Sequence, residues 1–447
     1  MSSKLAVTFL SKHLLNKIGD ARRLCVAFSG GLDSSVLLAG LAELRDKALP
    51  DIELRALHIH HGLSQFADDW VAHCQTFCQQ RDIPFSVAKV QVDAQEGGIE
   101  AAARTARYQA FAESLTAGEV LLTAQHLNDQ CETFMLALKR GSGPAGLSAM
   151  SGDSSTHGYR LLRPFLELSR EQLEEYAKQL KLSWIEDDSN RDARFDRNFL
   201  RLDIFPALYQ RWPHFAQATA RSASLCAEQE TLLDELLSES LTSLTDEQGS
   251  LSVERLKAFS AVRRSALLRR WLALRGARMP SREQLQRIWD EVALSREDAQ
   301  AQLVLGKMVV RRFRGRLYVL PEHRSLKDQI LCWDPAEKLT LPDGLGCLIA
   351  DHVLIAQGAD CLIRQPRAGE KITVRFQVQG YIEKVGRDRA RQAKKLWSEL
   401  GVPPWERGRI PLVYYNDQLM AAPGWFITRQ SRAENNEAQW RIIWSAA

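Results

Sequence analysis

Short apolar runs alternate with helical patterns through the first half of the chain. The runs that indicate strands span residues 24–28, 54–59, 85–90 and 120–124, and helical patterns lie near residues 36–44, 99–115 and 132–138. This alternation predicts a doubly wound, mostly parallel sheet of the Rossmann-like α/β class. Ligands of such sheets bind at the carboxyl ends of the strands, so we expect the chemistry in the loops that follow the runs.

The pattern changes after residue 212, where long helical stretches replace the alternation. Leucines recur there at helical spacing, at Leu225, Leu232, Leu233, Leu236 and Leu237. Residues 308–320 are typical of basic β-structure, and a strong turn signal at 341–346 precedes short strand-like runs. We therefore predict an α/β catalytic domain (1–215), a mainly helical middle domain (216–330) and a small α+β C-terminal domain (331–447).

The composition is that of a folded globular protein, with 447 residues, 45% hydrophobic and 26% charged. The longest early apolar stretch, at residues 5–10, is too short for a spanning helix or a secretory signal, which favours a cytoplasmic protein. Eight cysteines are scattered along the chain without the density of a disulfide scaffold. We expect reduced thiols.

The net charge of +4 is unevenly distributed. Residues 361–411 carry 12 Lys and Arg against 5 Asp and Glu, and residues 253–316 carry 16 against 6. Such blocks suit a polyanionic partner such as a nucleic acid. The alternative, solvated helix faces that keep the protein soluble, stays open for both blocks.

A glycine turn joins the first predicted strand to a helix that is expected to begin at Ser34. Its residues are Ser29, Gly30, Gly31, Leu32, Asp33 and Ser34. Two glycines let the backbone approach a phosphate closely, the serines add hydroxyl donors, and a helix N-terminus adds free N–H groups. A turn that merely links strand to helix is the alternative. No lysine follows the turn, which excludes the common Gly-x-x-x-x-Gly-Lys loop.

This segment resembles the Ser-Gly-Gly-x-Asp-Ser pyrophosphate loop of the ATP-pyrophosphatase superfamily, whose members adenylate their substrates. The resemblance implies that all six residues hold ATP. Because the carboxylate of Asp33 would repel bound phosphates unless a cation intervened, Mg²⁺ is implied as well.

Three histidines follow the second predicted strand, at His58, His60 and His61. Zinc is one interpretation, although only His58 and His60 would face the same side of a strand while His61 points away, and no Cys partner follows. The stretch His-x-His-His-Gly-Leu-Ser is similar to one in the tRNA(Ile)-lysidine synthetases. The helix that carries Arg104 and Arg107 resembles the Ala-Arg-x-x-Arg-Tyr helix of that family, which implies phosphate contact; an ordinary amphipathic helix end is the alternative.

The loop after the fourth strand resembles the family pattern Ala-His-His-x-Asp-Asp-Gln-x-Glu-Thr. Gln125 replaces the first His and Asn128 the first Asp, whereas His126 and Asp129 match. The resemblance implies catalytic roles for His126 and Asp129, with Asp129 contacting the base, the amine or Mg²⁺. Glu132 is either part of the site or a helix-capping acid.

Two further segments carry the resemblance. Arg197 and Arg201 lie four residues apart on a predicted helix and match the family's Arg-Asn-x-Ile-Arg, after a stretch, Asp-x-Ser-Asn, at residues 187–190. They are expected to offset phosphate charge. The distal strings Lys-Lys-x-Trp and Gly-Val-Pro-Pro-Trp place basic residues beside Trp397 and Trp405, which suits base stacking; a solvated helix beside a core tryptophan is the alternative.

The resemblance covers nearly the whole chain. It implies a ligase that uses ATP to adenylate the wobble cytidine of the isoleucine tRNA with a CAU anticodon, after which free L-lysine displaces AMP to give lysidine. The implied catalytic residues are Asp33, Arg107, His126, Asp129, Arg197 and Arg201. No membrane partner is expected, and a homodimer stays open. The alternatives are a tRNA thiolase of the same fold, for which Cys74 and Cys78 are the nearest to a redox pair, and a non-catalytic tRNA-binding protein.

Overall fold

The computed structural model describes residues 3–62, 67–91, 99–156, 158–186, 192, 194–296, 299–352, 361–387, 389–433 and 438–445. The chain forms two compact units, Met1–Glu235 and Leu236–Ala447. The boundaries of the three predicted domains stay a prediction. None of the helices among the described residues combines the length and apolar character needed to cross a membrane.

The first unit is built on a six-stranded sheet with strand order β3-β2-β1-β4-β6-β5. All neighbouring pairs are parallel except β5 and β6, which confirms the predicted doubly wound, mostly parallel sheet. Its strands are β1 Arg23–Ala27, β2 Glu53–His60, β3 Phe85–Lys89, β4 Val120–Leu122, β5 Asp153–Thr156 and β6 Tyr159–Leu162.

Helices surround this sheet and supply most of the apolar core. A turn of π-helix, Leu200–Ile204, joins two of them, and the last helix begins in the first unit and ends in the second. The helices are α1 Ser3–Ile18, α2 Leu32–Lys47, α3 Ala67–Gln79, α4 Ile99–Ser114, α5 Leu127–Lys139, α6 Pro144–Leu147, α7 Arg170–Gln179, α8 Asp196–Phe199, α9 Phe205–Arg211 and α10 Phe215–Leu244.

Strand β1 is buried on both faces, as expected for a central parallel strand. Leu24 and Val26 join the larger core, whereas Cys25 points to the opposite face and packs with Phe111 of α4. The strand order reverses direction between β1 and β4. The loops after these two strands therefore meet at the crevice where doubly wound sheets bind ligands.

The second unit begins with a helical region that carries a four-stranded sheet of order β7-β10-β9-β8. The hairpin of β9 and β10 confirms the basic β-structure predicted near residues 308–320. Its elements are β7 Leu251–Ser252, α11 Val253–Lys257, α12 Ala261–Leu274, α13 Arg282–Arg287, a π-helical turn at Ile288–Ala293, β8 Gln302–Leu305, β9 Met308–Phe313 and β10 Arg316–Pro321.

The remainder of the second unit is the predicted small α+β structure. Two sheets, of order β11-β15-β18-β19-β20 and β12-β13-β21-β14, are accompanied by the short pair β16-β17. The elements are β11 Ile330–Cys332, β12 Leu339–Thr340, β13 Cys347–His352, β14 Leu362–Arg364, β15 Ile372–Arg375, β16 Tyr381–Ile382, β17 Arg391–Gln392, α14 Ala393–Glu399, α15 Pro404–Arg407, β18 Leu412–Tyr415, β19 Gln418–Ala422, β20 Phe426–Ile427, a 3₁₀ turn at Arg429–Ser431 and β21 Gln439–Ser445.

Candidate active site

The loop between β1 and α2 is closed by hydroxyl hydrogen bonds. The Ser34 hydroxyl accepts from the backbone N–H of Ser29 and donates to the carbonyl of Gly31, at 3.3 and 3.1 Å. The two serine hydroxyls are 3.1 Å apart. The helix begins at Leu32, two residues before the predicted start at Ser34, so the loop is shorter and tighter than expected.

Gly30 is required at its position for two physical reasons. Its φ of +82° lies in the left-handed region that side chains disfavour. A Cβ there would also lie only 2.9 Å from the Cys74 sulfur and 3.2 Å from Cδ1 of Ile185. The carbonyl of Gly30 accepts a hydrogen bond from the Ile185 N–H at 2.9 Å, which fixes the loop to a distant part of the chain.

The first turn of α2 presents N–H groups toward the crevice. Gly31 is the N-cap residue and offers no side-chain hydrogen bond to the helix. The first N–H groups of a helix have no intrahelical partner, and the helix dipole adds partial positive charge at this end. The arrangement is therefore able to bind an anion such as a phosphate group.

His126 lies between the two aspartates that the sequence singled out. Its Nε2 is 3.8 Å from the Oδ2 of Asp33 and 3.5 Å from the Oδ2 of Asp129. The Nδ1 accepts a hydrogen bond from the backbone N–H of Asn128 at 3.2 Å. An accepting Nδ1 leaves the proton of a neutral imidazole on Nε2, directed toward the two carboxylates.

The Asp33 carboxyl is poorly solvated. Burial raises its pKa, and the charges of His126 and Arg170 oppose that rise. Its Oδ1 is buried and has no hydrogen-bond partner within the described part of the chain. A buried carboxylate oxygen of this kind is a ready ligand for a cation.

Arg201 joins two buried acids of α5. Its Nη2 donates to the Oδ1 of Asp129 at 2.8 Å and to the Oε2 of Glu132 at 3.0 Å, and its Nε donates to the other oxygen of Glu132. Burial raises the pKa of the Glu132 carboxyl, and the hydrogen bonds from Arg201 oppose that rise. Arg201 lies in the π-helical turn Leu200–Ile204, and such turns are frequent at functional sites.

Of the two roles left open for Glu132, the structure contradicts the helix cap. Asp129 fills that role, because its Oδ2 accepts the backbone N–H of His126 at 3.0 Å. Glu132 lies one turn further along α5 and is 1% exposed. Its partner is Arg201, so Glu132 belongs to the charged site.

Two predicted arginines lie nearer the edge of the site. Arg197 is on α8 and its charge acts on the Glu132 carboxyl. Arg107 is exposed on α4, and its charge acts on His61. Burial, followed by the charge of Arg107 and the neighbouring histidines, lowers the pKa of His61 to about 4. Arg104 lies over the ring of Tyr108, 5.0 Å from its centroid.

His58 and His60 lie within β2, and His58 supports the nucleotide loop. His58 is buried and its Nδ1 donates to the carbonyl of Phe28 at 2.8 Å, directly before Ser29. Burial lowers the pKa of His58. No group of three or more His, Cys, Asp or Glu side chains among the described residues is arranged to hold a metal ion. Leu63, Ser64 and residues 187–190 of the quoted motifs lie outside the described residues.

Arg170, the first residue of α7, was not predicted to belong to the site. Its Nη1 is 3.9 Å from the Oδ2 of Asp33. The signal for it was weak, because Arg170 starts a helix of mixed charge after a capping serine, Ser169. Arg170 joins the site only because the folded chain places the start of α7 beside the Asp33 carboxylate.

Cys74 and Cys78 are buried free thiols, as predicted. Burial raises the pKa of each to about 12. Neither has the depressed pKa of a reactive cysteine.

Trp397, proposed above for base stacking, belongs to the core. It is 3% exposed and packs against Phe426, with 5.3 Å between ring centroids. Trp405 is half-buried and packs against Tyr318 at 5.3 Å. The stacking role of Trp397 is therefore wrong, and the basic residues beside it, Lys394 and Lys395, are the exposed ones.

Comparison with known proteins places these features in a family. Residues 4–208 match the family model described as PP-loop domain, residues 251–318 the TilS substrate binding domain, and residues 372–444 the TilS substrate C-terminal domain. The chain is 59% identical to the tRNA(Ile)-lysidine synthase of Serratia proteamaculans, over 97% of this chain and 98% of that protein. It is 56% identical to the tRNA(Ile)-lysidine synthase of Edwardsiella ictaluri, over 98% of each. The loop, the charged cluster and this identity together show that the chain belongs to the tRNA(Ile)-lysidine synthase family.

Proposed function

We propose that this chain ligates free L-lysine to the wobble cytidine of the isoleucine tRNA with a CAU anticodon, using ATP and releasing AMP and pyrophosphate. One observation carries the proposal in detail. The phosphate loop carries Asp33, and α5 carries the buried acids Asp129 and Glu132. The two parts of the site meet at His126, whose Nε2 lies within 4 Å of both Asp33 and Asp129. A site that activates a base and then admits an amine needs these two parts side by side.

The first step forms an ester between the carbonyl oxygen of cytidine and the α-phosphate of ATP, and pyrophosphate leaves. The residues from Ser29 to Ser34, with the N-terminus of α2, bind the phosphates through N–H and hydroxyl groups. Arg170 and Arg201 offset the negative charge that develops at phosphorus. Adenylation is needed because the carbonyl oxygen is otherwise a poor leaving group.

Mg²⁺ fits the same place, and Asp33 is its better ligand. The Oδ1 of Asp33 is buried without a partner among the residues that the structure describes, whereas both oxygens of Asp129 already accept hydrogen bonds, from Arg201 and from the backbone of His126. Mg²⁺ is usually bound by one or two carboxylates together with substrate phosphates. When bound, the ion neutralises phosphate charge.

The second step forms a bond between the lysine amine and the base carbon, and the carbon–oxygen bond to AMP breaks. Asp129 and Glu132 attract the protonated amine, and Arg201 holds the two acids at a fixed spacing. The raised pKa of Glu132 brings its carboxyl closer to the range in which it accepts a proton from the attacking amine. The amine loses one proton before its lone pair attacks the carbon and a second one as the carbon–nitrogen bond forms, and the electron pair of the broken carbon–oxygen bond leaves with AMP.

We assign tRNA binding to the basic middle and C-terminal domains, residues 216–330 and 331–447. The uneven charge supports this, because both basic blocks fall in these residues. A cytoplasmic location follows from the ATP and tRNA substrates. The homodimer stays a prediction, for which the mass of the protein in solution is the test.

The test is to incubate the purified protein with ATP, labelled lysine and bulk tRNA, and to identify the tRNA that gains label. We expect label in one isoleucine tRNA, with release of pyrophosphate. Transfer of labelled sulfur would instead indicate a thiolase, and tRNA binding without pyrophosphate release would indicate a non-catalytic protein. Either result contradicts the proposal.

A further inference from the structure

We propose that Asn128 is a positioning residue that aligns the arginines of the site with its acids; this inference rests on the proposed function. Its side-chain Oδ1 accepts the backbone N–H of Arg170 at 3.0 Å. Its Nδ2 donates to the hydroxyl of Tyr209 at 3.3 Å. One amide therefore connects three elements, α5, α7 and α9.

Each connection leads to a charged group of the site. Asn128 precedes Asp129 on α5 and lies one turn before Glu132. The N–H that it accepts belongs to Arg170, whose guanidinium faces Asp33 at 3.9 Å. Position 128 thus helps to fix the start of α7 relative to the acids of α5, next to a backbone hydrogen bond from the Leu127 N–H to the Leu168 carbonyl at 2.9 Å.

The second connection reaches Arg201. Tyr209 lies on α9, which continues directly from the π-helical turn that carries Arg201. The Tyr209 ring is stacked on Phe205, the first residue of α9, at 5.5 Å with 6° between the planes, so the tyrosine also packs against the start of this helix. The hydrogen bond from Asn128 therefore fixes the helix that continues directly from this turn.

The chemistry of position 128 suits this role. An amide is both donor and acceptor, so it satisfies an N–H and a hydroxyl at once. When the Tyr209 oxygen accepts from Asn128, its own proton is free for the Cys131 thiol, with which it also interacts. An aspartate would still accept from Arg170, and the Tyr209 hydroxyl would then have to donate to it. Position 128 therefore needs a planar polar group more than it needs a charge.

The experiment compares Asn128→Ala, Asn128→Asp and a matched control, Gln130→Ala, in the full chain. Gln130 lies on the same helix, and its amide also makes two hydrogen bonds, to the backbone of Met150 at 2.8 and 2.9 Å. Lysine incorporation gives KM for lysine and kcat, and pyrophosphate release without lysine reports the first step. Hydrogen exchange of residues 200–211 reports the anchor itself.

For Asn128→Ala we expect KM for lysine to rise about tenfold, since two hydrogen bonds are lost, with lysine-independent pyrophosphate release changed less than about threefold. Asn128→Asp restores KM to within about threefold of the parent chain. Exchange of residues 200–211 becomes faster in Asn128→Ala and stays unchanged in Gln130→Ala.

An equal rise of KM in Asn128→Ala and Gln130→Ala would overturn the inference, because general destabilisation would then explain it. If the parent chain does not ligate lysine at all, the proposed function fails, and the exchange measurement still decides the role of Asn128. Unchanged exchange at 200–211 in Asn128→Ala would refute the anchor in either case.

Discussion

The charged cluster of the first unit and the basic, tryptophan-containing segment of the second unit were both predicted from short motifs, and they differ in outcome. In the first unit, three contacts within 4 Å connect the cluster: Asp33 with His126, His126 with Asp129, and Asp129 with Arg201. In the second unit, Trp397 is a core residue and only its basic neighbours are exposed.

The difference follows from what each function requires. Catalysis needs groups within a few ångströms of one another, so a single chain already carries its geometry. Binding a polyanion needs only exposed positive charge at the right spacing, because most such contacts go to phosphates. Aromatic side chains beside that charge are large and apolar, so burying them in the core is favourable as well.

Asp33→Asn tests the catalytic side of this contrast and has the largest expected effect. Pyrophosphate release and lysine ligation should fall by at least about 100-fold, since the carboxylate that would hold the charge-neutralising cation beside the phosphates is lost. Asp46→Asn, at the exposed end of the same helix, is the control and should keep its activity. Retention of more than about a tenth of the activity by Asp33→Asn would place the chemistry elsewhere.

Trp397→Ala tests the structural side. Because the ring is buried in the C-terminal core, its removal should cost about 3–5 kcal/mol of unfolding free energy, measured by urea unfolding followed by circular dichroism. Trp212→Ala removes a tryptophan that is 53% exposed and should cost far less. A stable Trp397→Ala chain that has lost tRNA affinity would restore the stacking role and end the contrast.

Replacing both Lys394 and Lys395 by Ala sharpens the same comparison. The exposed lysines are expected to contact phosphates, so tRNA affinity should fall severalfold at low salt, and the slope of log K against log salt should shrink by about one unit per lysine. The unfolding free energy should hardly change. Lys47→Ala, an exposed ion-paired lysine of α2, is the control. An unchanged salt slope would assign the basic segment to solubility alone.

The smallest effect concerns pH and stability. Burial raises the pKa of Asp33, so the folded chain holds this proton to higher pH than the unfolded chain does. The resulting stabilisation is complete below the unfolded value, near 3.8, and is lost as the pH rises through the folded pKa. Asn does not titrate, so Asp33→Asn should gain stability relative to the parent chain as the pH rises above about 4. A difference in Tm that is independent of pH would contradict the raised pKa.

The sequence predicted the sheet because its strands are nearly continuous apolar runs of the length that central parallel strands require. It also placed residues Ser29 to Ser34 correctly at the carboxyl end of β1. The motif is contiguous in the sequence, and Gly30 is the residue type that its backbone conformation and close neighbours require. It did not predict the partners of Glu132 or Arg170. Those depend on residues 69 and 137 positions away along the chain, respectively, and only tertiary packing brings them together.

The π-helical turn Leu200–Ile204 could not be predicted from the sequence either. The spacing of Arg197 and Arg201 is that of an ordinary helix, and one extra residue in the turn re-aims Arg201 without leaving a mark in the pattern. The prediction that Trp397 stacks on a base was wrong for another reason. A tryptophan beside lysines is compatible with both a core and a binding surface, and the local sequence does not distinguish the two.

The hydrogen bond from Ile185 to the carbonyl of Gly30 has a consequence for biosynthesis. The ribosome delivers Gly30 some 155 residues before its partner, and β6, which borders β4, also appears late. At ordinary elongation rates the nascent chain therefore spends about 10–30 s with a glycine turn that lacks its anchor. A transcript truncated before Ile185 would yield a product whose nucleotide pocket never takes its final shape.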